Sequence, residues 1–118
     1  MKSGDVVIAL GALAQESRLA IFRALVNRGP QGYTPGNLVD KISIPAPTLS
    51  FHLKELQRAG LVASRRDGRF LHYSANFGAM QDLIEFLTEN CCSLSDVECD
   101  SDCVPVAPPV AIAKRKRA

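Results

Sequence analysis

The feature that most constrains the fold is a pair of short helical patterns separated by the break Ile44-Pro45. Thr34-Pro35 predicts the start of the first helix, because threonine can accept from first-turn N–H groups and proline has no N–H to leave unsatisfied. A second helix is predicted from residue 46 to residue 59, with Gly60 as its stop. Two short helices joined by a tight break are typical of a helix-turn-helix.

A β-hairpin is predicted directly after the second helix. Residues 61 to 65 and 70 to 74 alternate like strands around Arg66-Asp67-Gly68-Arg69. Because Asp-Gly between such segments is a hairpin signal, we expect a small hairpin, or wing, next to the two helices. The predicted fold class is therefore mainly α with a small β-hairpin, a winged helix-turn-helix.

Three more helices are predicted from helical spacing, over residues 6 to 13, 17 to 27 and 77 to 89. Leu19, Phe22 and Val26 are expected to share one face of the second of these. The last helix has an apolar stripe larger than so small a domain needs for its own core. The members of this stripe are Phe77, Met80, Leu83, Ile84 and Leu87.

The predicted DNA-binding residues lie on the second helix of the helix-turn-helix and on the wing. The whole chain has a net charge of +2, but residues 45 to 74 carry five Lys or Arg against two acidic residues, so positive charge is concentrated there. The arginines of the wing are expected to reach phosphates or a minor groove. For His52, packing between the helix and the hairpin is an equal alternative to base contact. The predicted set is Thr48, Ser50, Phe51, His52, Lys54, Arg65, Arg66 and Arg69.

All four cysteines lie directly after the last predicted helix, as Cys91, Cys92, Cys99 and Cys103. Soft thiolates select soft or thiophilic centres, so the cluster predicts a site for a metal or metalloid. Cys91 and Cys92 can converge on one centre only if the helix frays there. Residues 85 to 103 contain six Asp or Glu and no Lys or Arg, and this negative field disfavours thiolates and favours divalent cations. Idle thiols and redox-active thiols are the alternatives, and the second is weakened because reactive cysteines normally have electropositive surroundings.

The rest of the chain sets the expected context. No apolar run approaches the ~18 residues that span a bilayer, and the first residues lack the cleavage pattern of a signal peptide. We therefore expect a cytoplasmic protein with one domain over residues 1–90, followed by a segment over 91–118 with the cysteines, a flexible proline-rich stretch and a basic end. No Gly-rich phosphate loop is present, and thiols in a tail lack a positioned base, so an enzyme is not expected.

Three motifs resemble the ArsR/SmtB family of metal-responsive bacterial repressors. They are Glu-Ser-Arg-Leu-Ala-Ile-Phe at 16–22, Ser-Phe-His-Leu-Lys-Glu-Leu at 50–56 and Ala-Gly-Leu-Val at 59–62. The resemblance covers roughly residues 5 to 90. It implies a homodimer whose first and last helices pair across a two-fold axis. It also implies that the dimer reads two half-sites of an imperfect palindrome near its own promoter and releases them when an inducer binds.

The cysteine positions resemble one branch of this family. No cysteine lies between Asn37 and Asp40, and no histidine between Gln81 and Asn90, where other branches have their metal ligands. Glu-Asn-Cys-Cys at the end of the last helix is similar to a branch that senses arsenite, which implies As(III) as inducer, with Sb(III) possible, and control of arsenic-resistance genes. As(III) takes three thiolates, which we expect to be Cys91, Cys92 and either Cys99 or Cys103; the resemblance favours Cys99, because it matches the short spacing of that branch better. Cadmium, lead, zinc, an organoarsenical that needs two thiols, and an oxidant are the alternative inducers.

Overall fold

Five α-helices and one two-stranded antiparallel hairpin form the part of the chain that the computed structural model describes, residues 1–94. The order of these elements confirms the predicted winged helix-turn-helix fold. The elements are α1 (Ser3–Leu13), α2 (Glu16–Arg28), α3 (Pro35–Ile42), α4 (Ala46–Arg58), β1 (Val62–Asp67), β2 (Phe70–Ala75) and α5 (Phe77–Thr88).

The chain divides into two compact units, Met1–Phe86 and Leu87–Ala118. The first unit contains the helix-turn-helix and the hairpin. Of the second unit, the structure describes the last two residues of α5 and the short turn that follows, as far as Leu94. This division falls shortly before the boundary that the sequence predicts between residues 90 and 91.

The ends of α3 and α4 follow from local chemistry. The side chain of Thr34 accepts from the backbone N–H of Asn37 at 3.2 Å, and Pro35 occupies the first turn. At the end of α4, Leu61 N–H donates to the carbonyl of Leu56 and Gly60 N–H to that of Gln57. This pair of bonds is a Schellman motif, and it places Gly60 in the left-handed region at φ 82°.

One apolar core joins the helices and the base of the hairpin. The leucines predicted to point inward from α4, Leu49, Leu53 and Leu56, are all buried. Of the three residues predicted to share a face of α2, Phe22 is buried and Val26 half-buried, but Leu19 is exposed. Ile21 and Leu25 fill the core in its place. Both sets have helical spacing, so only the packing of α2 against α4 and β2 decides between them.

The hairpin is longer than the sequence predicts. Asp67 pairs with Phe70, so Gly68-Arg69 alone forms the loop. Gly68 has φ 65°, the conformation that a two-residue hairpin loop with glycine in its first position requires. On the other edge of β2, the backbone of Tyr33 exchanges two hydrogen bonds with Tyr73, at 2.9 and 2.8 Å. This bridge attaches the wing to the connection between α2 and α3.

Candidate nucleic-acid interface and thiol pair

One side of α4 is exposed along its length. Leu49, Leu53 and Leu56 turn one side of the helix into the core, while the opposite side remains accessible. Phe51 has 54% of its surface exposed although it is a large apolar residue. The predicted contact residues on this side, all exposed, are Thr48, Ser50, Phe51 and Lys54. The pairs Thr48 and Phe51, Ser50 and Lys54, and Phe51 and Lys54 are three or four residues apart, so all four lie on the side of the helix opposite the leucines, a form that fits a major groove.

His52 differs from the other seven predicted DNA-binding residues because it is buried, with 7% of its surface exposed. Its Nδ1 accepts a hydrogen bond from Nε of Arg18 at 3.3 Å, so its polar partner lies on α2. Burial lowers the pKa of His52, and the positive charge of Arg18 lowers it further. The structure therefore favours a packing role for His52, with α2 rather than the hairpin as its polar neighbour.

The three arginines of the wing are exposed but have different surroundings. Arg65 donates from Nη2 to the backbone carbonyl of Gln31 at 3.4 Å, which draws it toward the connection between α2 and α3. Arg66 lies opposite Leu71 in the hairpin, and Arg69 lies in the two-residue loop at its tip. Arg66 and Arg69 are therefore better placed than Arg65 to meet a phosphate backbone.

The sequence analysis missed two residues near this interface. Arg18 lies in one of the family-like motifs, but no local signal indicates that it reaches His52, 34 residues further along the chain. Phe70 begins β2 beside the loop and is 62% exposed. Its position next to the predicted turn was a signal that its side chain would face solvent.

Cys91 and Cys92 lie in a turn after α5, which ends at Thr88. The backbone N–H of Cys91 donates to the carbonyl of Thr88 at 3.0 Å. Asn90 and Cys92 have positive φ, 58° and 64°, so the backbone leaves the helical path on either side of Cys91. Both thiols are exposed, and their sulfurs are 3.5 Å apart. The helix thus ends before the cysteines, which is the condition under which adjacent thiols can converge.

The sulfur separation fits two ligands on one centre. A disulfide has an S–S length of about 2.0 Å, and two thiolates on one tetrahedral zinc at about 2.3 Å each are about 3.8 Å apart. The observed 3.5 Å is close to the second value. The hydrogen bond with Cys91 raises the pKa of the Cys92 thiol, and desolvation and the charge of Cys91 raise it further. Binding of a soft centre must therefore displace a proton from Cys92.

The third predicted ligand falls outside the part of the chain that the structure describes, because Cys99 and Cys103 lie beyond residue 94. Within residues 1–94, no group of three or more His, Cys, Asp or Glu side chains comes together as a metal site. Among the helices of the same residues, none is both long enough and apolar enough to cross a membrane.

Known proteins with similar sequences agree with this architecture. A family model described as a helix-turn-helix domain covers residues 13–65. The chain is 43% identical over 63 residues to the uncharacterized HTH-type transcriptional regulator YceK of Bacillus subtilis, covering 53% of this chain and 62% of YceK. It is 32% identical over 91 residues to the nodulation protein NolR of Rhizobium meliloti, covering 75% of this chain and 72% of NolR. A probable mercury resistance operon repressor of Streptomyces lividans is 36% identical over 73 residues, with 62% and 56% covered.

Solved structures share the fold. The ArsR-like transcriptional regulator from Rhodococcus sp. RHA1 superimposes with a TM-score of 0.68 at 23% identity, covering 77% of this chain and 83% of the regulator. The homodimeric winged helix-turn-helix DNA-binding domain Mb0332 of Mycobacterium bovis gives a TM-score of 0.58 at 20% identity, with 81% and 89% covered. The fold and the sequence relatives together define a winged helix-turn-helix transcription regulator.

The identity with NolR, 32% over 72% of its length, then shows the family: the chain belongs to the ArsR/SmtB type of helix-turn-helix transcriptional regulators. The relatives in this family are regulators of transcription and not enzymes. The chain spans 62% of the length of YceK.

Proposed function

We propose that this chain is a homodimeric repressor that binds operator DNA and releases it when trivalent arsenic binds Cys91, Cys92 and a third thiolate from Cys99 or Cys103. The observation that carries the sensing part of this proposal is the 3.5 Å separation of the Cys91 and Cys92 sulfurs, on an exposed turn. The genes under control would then be those of arsenic resistance.

The DNA-binding part is supported by the shape and charge of the first unit. The exposed face of α4 presents a hydroxyl, an aromatic ring and an ammonium group, from Ser50, Phe51 and Lys54, to a groove. Hydroxyl and ammonium groups can read base edges, and an aromatic ring can contact a thymine methyl. Arg66 and Arg69 on the wing supply charge for the neighbouring phosphates.

The homodimer is supported by apolar surface on α1. Its buried side carries Val6 and Ala9, but Val7 on another side is 66% exposed and Ile8 is exposed as well. A helix that is apolar all round is normally covered on all sides, so a second subunit is the natural cover. On α5, Ile84 is exposed in the same way. The structural neighbour Mb0332 is itself described as homodimeric.

Release follows from the position of the thiols along the chain. Cys91 comes three residues after the last residue of α5, and α5 is one of the two helices proposed for the dimer interface. Drawing a third cysteine onto the pair would order or bend the end of α5 and so shift the spacing of the two recognition helices. Such coupling is worth typically ~1–3 kcal/mol, enough to empty an operator.

A second candidate is a repressor that senses a soft divalent metal through the same cysteines. The probable mercury resistance operon repressor among the relatives favours this candidate, as do the six Asp or Glu within residues 85–103, where there is no Lys or Arg. Organoarsenicals, which need two thiols, and oxidants are further inducers that the same pair of sulfurs could serve.

The test is fluorescence anisotropy with a labelled duplex taken from upstream of the coding sequence. The protein is kept reduced with a phosphine, because thiol reductants compete for arsenic. We expect binding without arsenite and release at about one arsenite per subunit. Cys91→Ser and Cys92→Ser should bind the duplex normally and fail to release it, while Ser93→Ala serves as a matched control that still responds. Normal release by Cys91→Ser would overturn the site.

The same titration separates the two candidates. Release by cadmium, lead or zinc, with no response to arsenite, would favour the divalent-metal sensor. Cys99→Ser and Cys103→Ser, compared in parallel, identify the third ligand, because the one that abolishes the response to arsenite contributes it.

A further inference from the structure

Two of the three motifs that resemble the family meet at one hydrogen bond. Arg18 belongs to the motif at the start of α2, and His52 to the motif in the middle of α4. Nε of Arg18 donates to Nδ1 of His52 at 3.3 Å, across 34 residues of sequence. Among the residues that the structure describes, His52 is the one polar side chain that is buried, in a core that is otherwise apolar.

This bond supplies something that the surrounding leucines do not. Leu49, Leu53 and Leu56 hold α4 by apolar burial, which is strong but non-directional. A hydrogen bond is directional and weakens steeply as its angle falls. The leucines hold one face of α4 against the core, and the bond between Arg18 and His52 can set the rotation of the helix more finely than they do.

Rotation of α4 matters at its exposed face. Side chains extend to roughly 6 Å from a helix axis, so a turn of about 15° moves their ends by about 1.5 Å. A binding constellation tolerates only about 0.5 Å or about 10–20° of error. Contacts from Ser50 and Lys54 to base edges would be lost by such a turn, whereas phosphate attraction, which is long-ranged, would persist.

We propose that Arg18 and His52 form a positioning pair, which sets the rotation of α4 and so the specificity of base recognition without touching DNA itself. This inference rests on the proposed DNA-binding function. It assigns His52 a role through Arg18 in place of direct base contact, and it adds Arg18 to the residues on which specificity depends.

The pair is also sensitive to protonation. His52 accepts only while its Nδ1 carries no proton, so protonation removes the acceptor and sets a second positive charge beside Arg18. Of the charged side chains on α1, α2, α3 and β1, which pack against α4, Arg18 is the one whose charge acts on His52. Burial and this charge lower the pKa of His52, so the pair is intact at neutral pH and is lost in acid.

The experiment is a double-mutant cycle on DNA affinity, measured with the upstream duplex and with a scrambled duplex of equal length. His52→Leu and Arg18→Leu should each weaken binding to the upstream duplex about tenfold, or about 1.4 kcal/mol. The double variant should lose no more than either single one, because both remove the same bond. His52→Asn, whose amide oxygen can accept where Nδ1 does, should bind within about threefold of the wild type, a difference of under about 0.7 kcal/mol. Affinity for the scrambled duplex should change less than about twofold in all variants.

Two further readouts distinguish positioning from other roles. If Arg18 does not contact phosphate, Arg18→Leu leaves the slope of log K against log salt unchanged, whereas Arg66→Ala lowers it by about 1. In a pH series, wild-type affinity for the upstream duplex should fall in acid, and the affinity of His52→Asn should fall less.

Each outcome decides between the two proposals. Failure of the wild type to bind any duplex contradicts the proposed function. Wild-type binding with additive losses in the cycle, or with a reduced salt slope for Arg18→Leu, contradicts the positioning pair alone. Circular dichroism and thermal melting identify any variant that fails to fold, and His52→Asn then decides the matter: loss of specific affinity in this folded variant would overturn the pair.

Discussion

Replacing Gly32 with alanine tests how the wing is attached to the helices. Gly32 has φ +71°, and a Cβ added there would overlap the carbonyl oxygen of Tyr73 and lie 2.9 Å from its carbonyl carbon. The left-handed backbone costs about 1–2 kcal/mol for a residue with a side chain. To relieve the overlap, the segment must move away from β2, which breaks the two hydrogen bonds between Tyr33 and Tyr73. At about 1 kcal/mol each, these raise the total loss of stability to roughly 3–4 kcal/mol.

Gly60→Ala is the matched control. Gly60 also has positive φ, +82°, but nothing lies within 4 Å of an added Cβ. Gly60→Ala should therefore lower the free energy of unfolding only by the cost of holding alanine in the left-handed backbone, about 1–2 kcal/mol. Urea unfolding followed by circular dichroism, at equal protein concentrations, gives both free energies of unfolding. A difference of less than about 1 kcal/mol between the two variants would refute the argument that close approach to Tyr73 anchors the wing.

Three other changes have defined expectations. Burial and Arg18 lower the pKa of His52, so the unfolded chain takes up this proton more readily than the folded one, and the free energy of unfolding should fall as the pH drops below the ordinary value of about 6.5. His52→Asn, melted across the same pH range, should lack this component. Arg66→Ala should reduce the salt slope of duplex binding by about 1, and Arg65→Ala by less because it already donates to Gln31; equal slopes would contradict the ranking. Val7→Glu would bury a carboxylate in the proposed dimer interface and should give monomers in sedimentation velocity, whereas Arg23→Glu, at an exposed position of α2, should not. A dimeric Val7→Glu protein would place the interface elsewhere.

The limits of α3 and α4 were predictable because their signals act within one turn of the chain. Thr34 caps its own helix three residues on, and Gly60 ends α4 through bonds no more than five residues long. The inward leucines of α4 were predictable too, because their spacing matches one helical face. On α2, two sets of apolar residues have helical spacing, and the core takes Ile21, Phe22 and Leu25 while Leu19 stays exposed. Sequence periodicity defines possible faces, and packing selects among them.

The candidate sites divide in the same way. The positions of Cys91 and Cys92 after the last helix could be read from the chain, and the end of α5 at Thr88 agrees with the fraying that their convergence needs. The left-handed backbone at Asn90 fits the tolerance of asparagine for positive φ, but the positive φ of Cys92 could not be predicted, since cysteine carries no such preference. The roles assigned to the cysteines and to the wing arginines stay predictions until the duplex titrations are done.

The sequence by itself determined the helix-turn-helix, the wing and the concentration of positive charge around them, because each depends on caps, turns and periodicities that span a few residues. Only the tertiary structure decided that His52 lies inward against Arg18 and that Gly32 lies against Tyr73. Partners 34 and 41 residues apart are brought together by the burial of the leucines and isoleucine of the core, and that burial has no direction along the chain from which the pairing could be read.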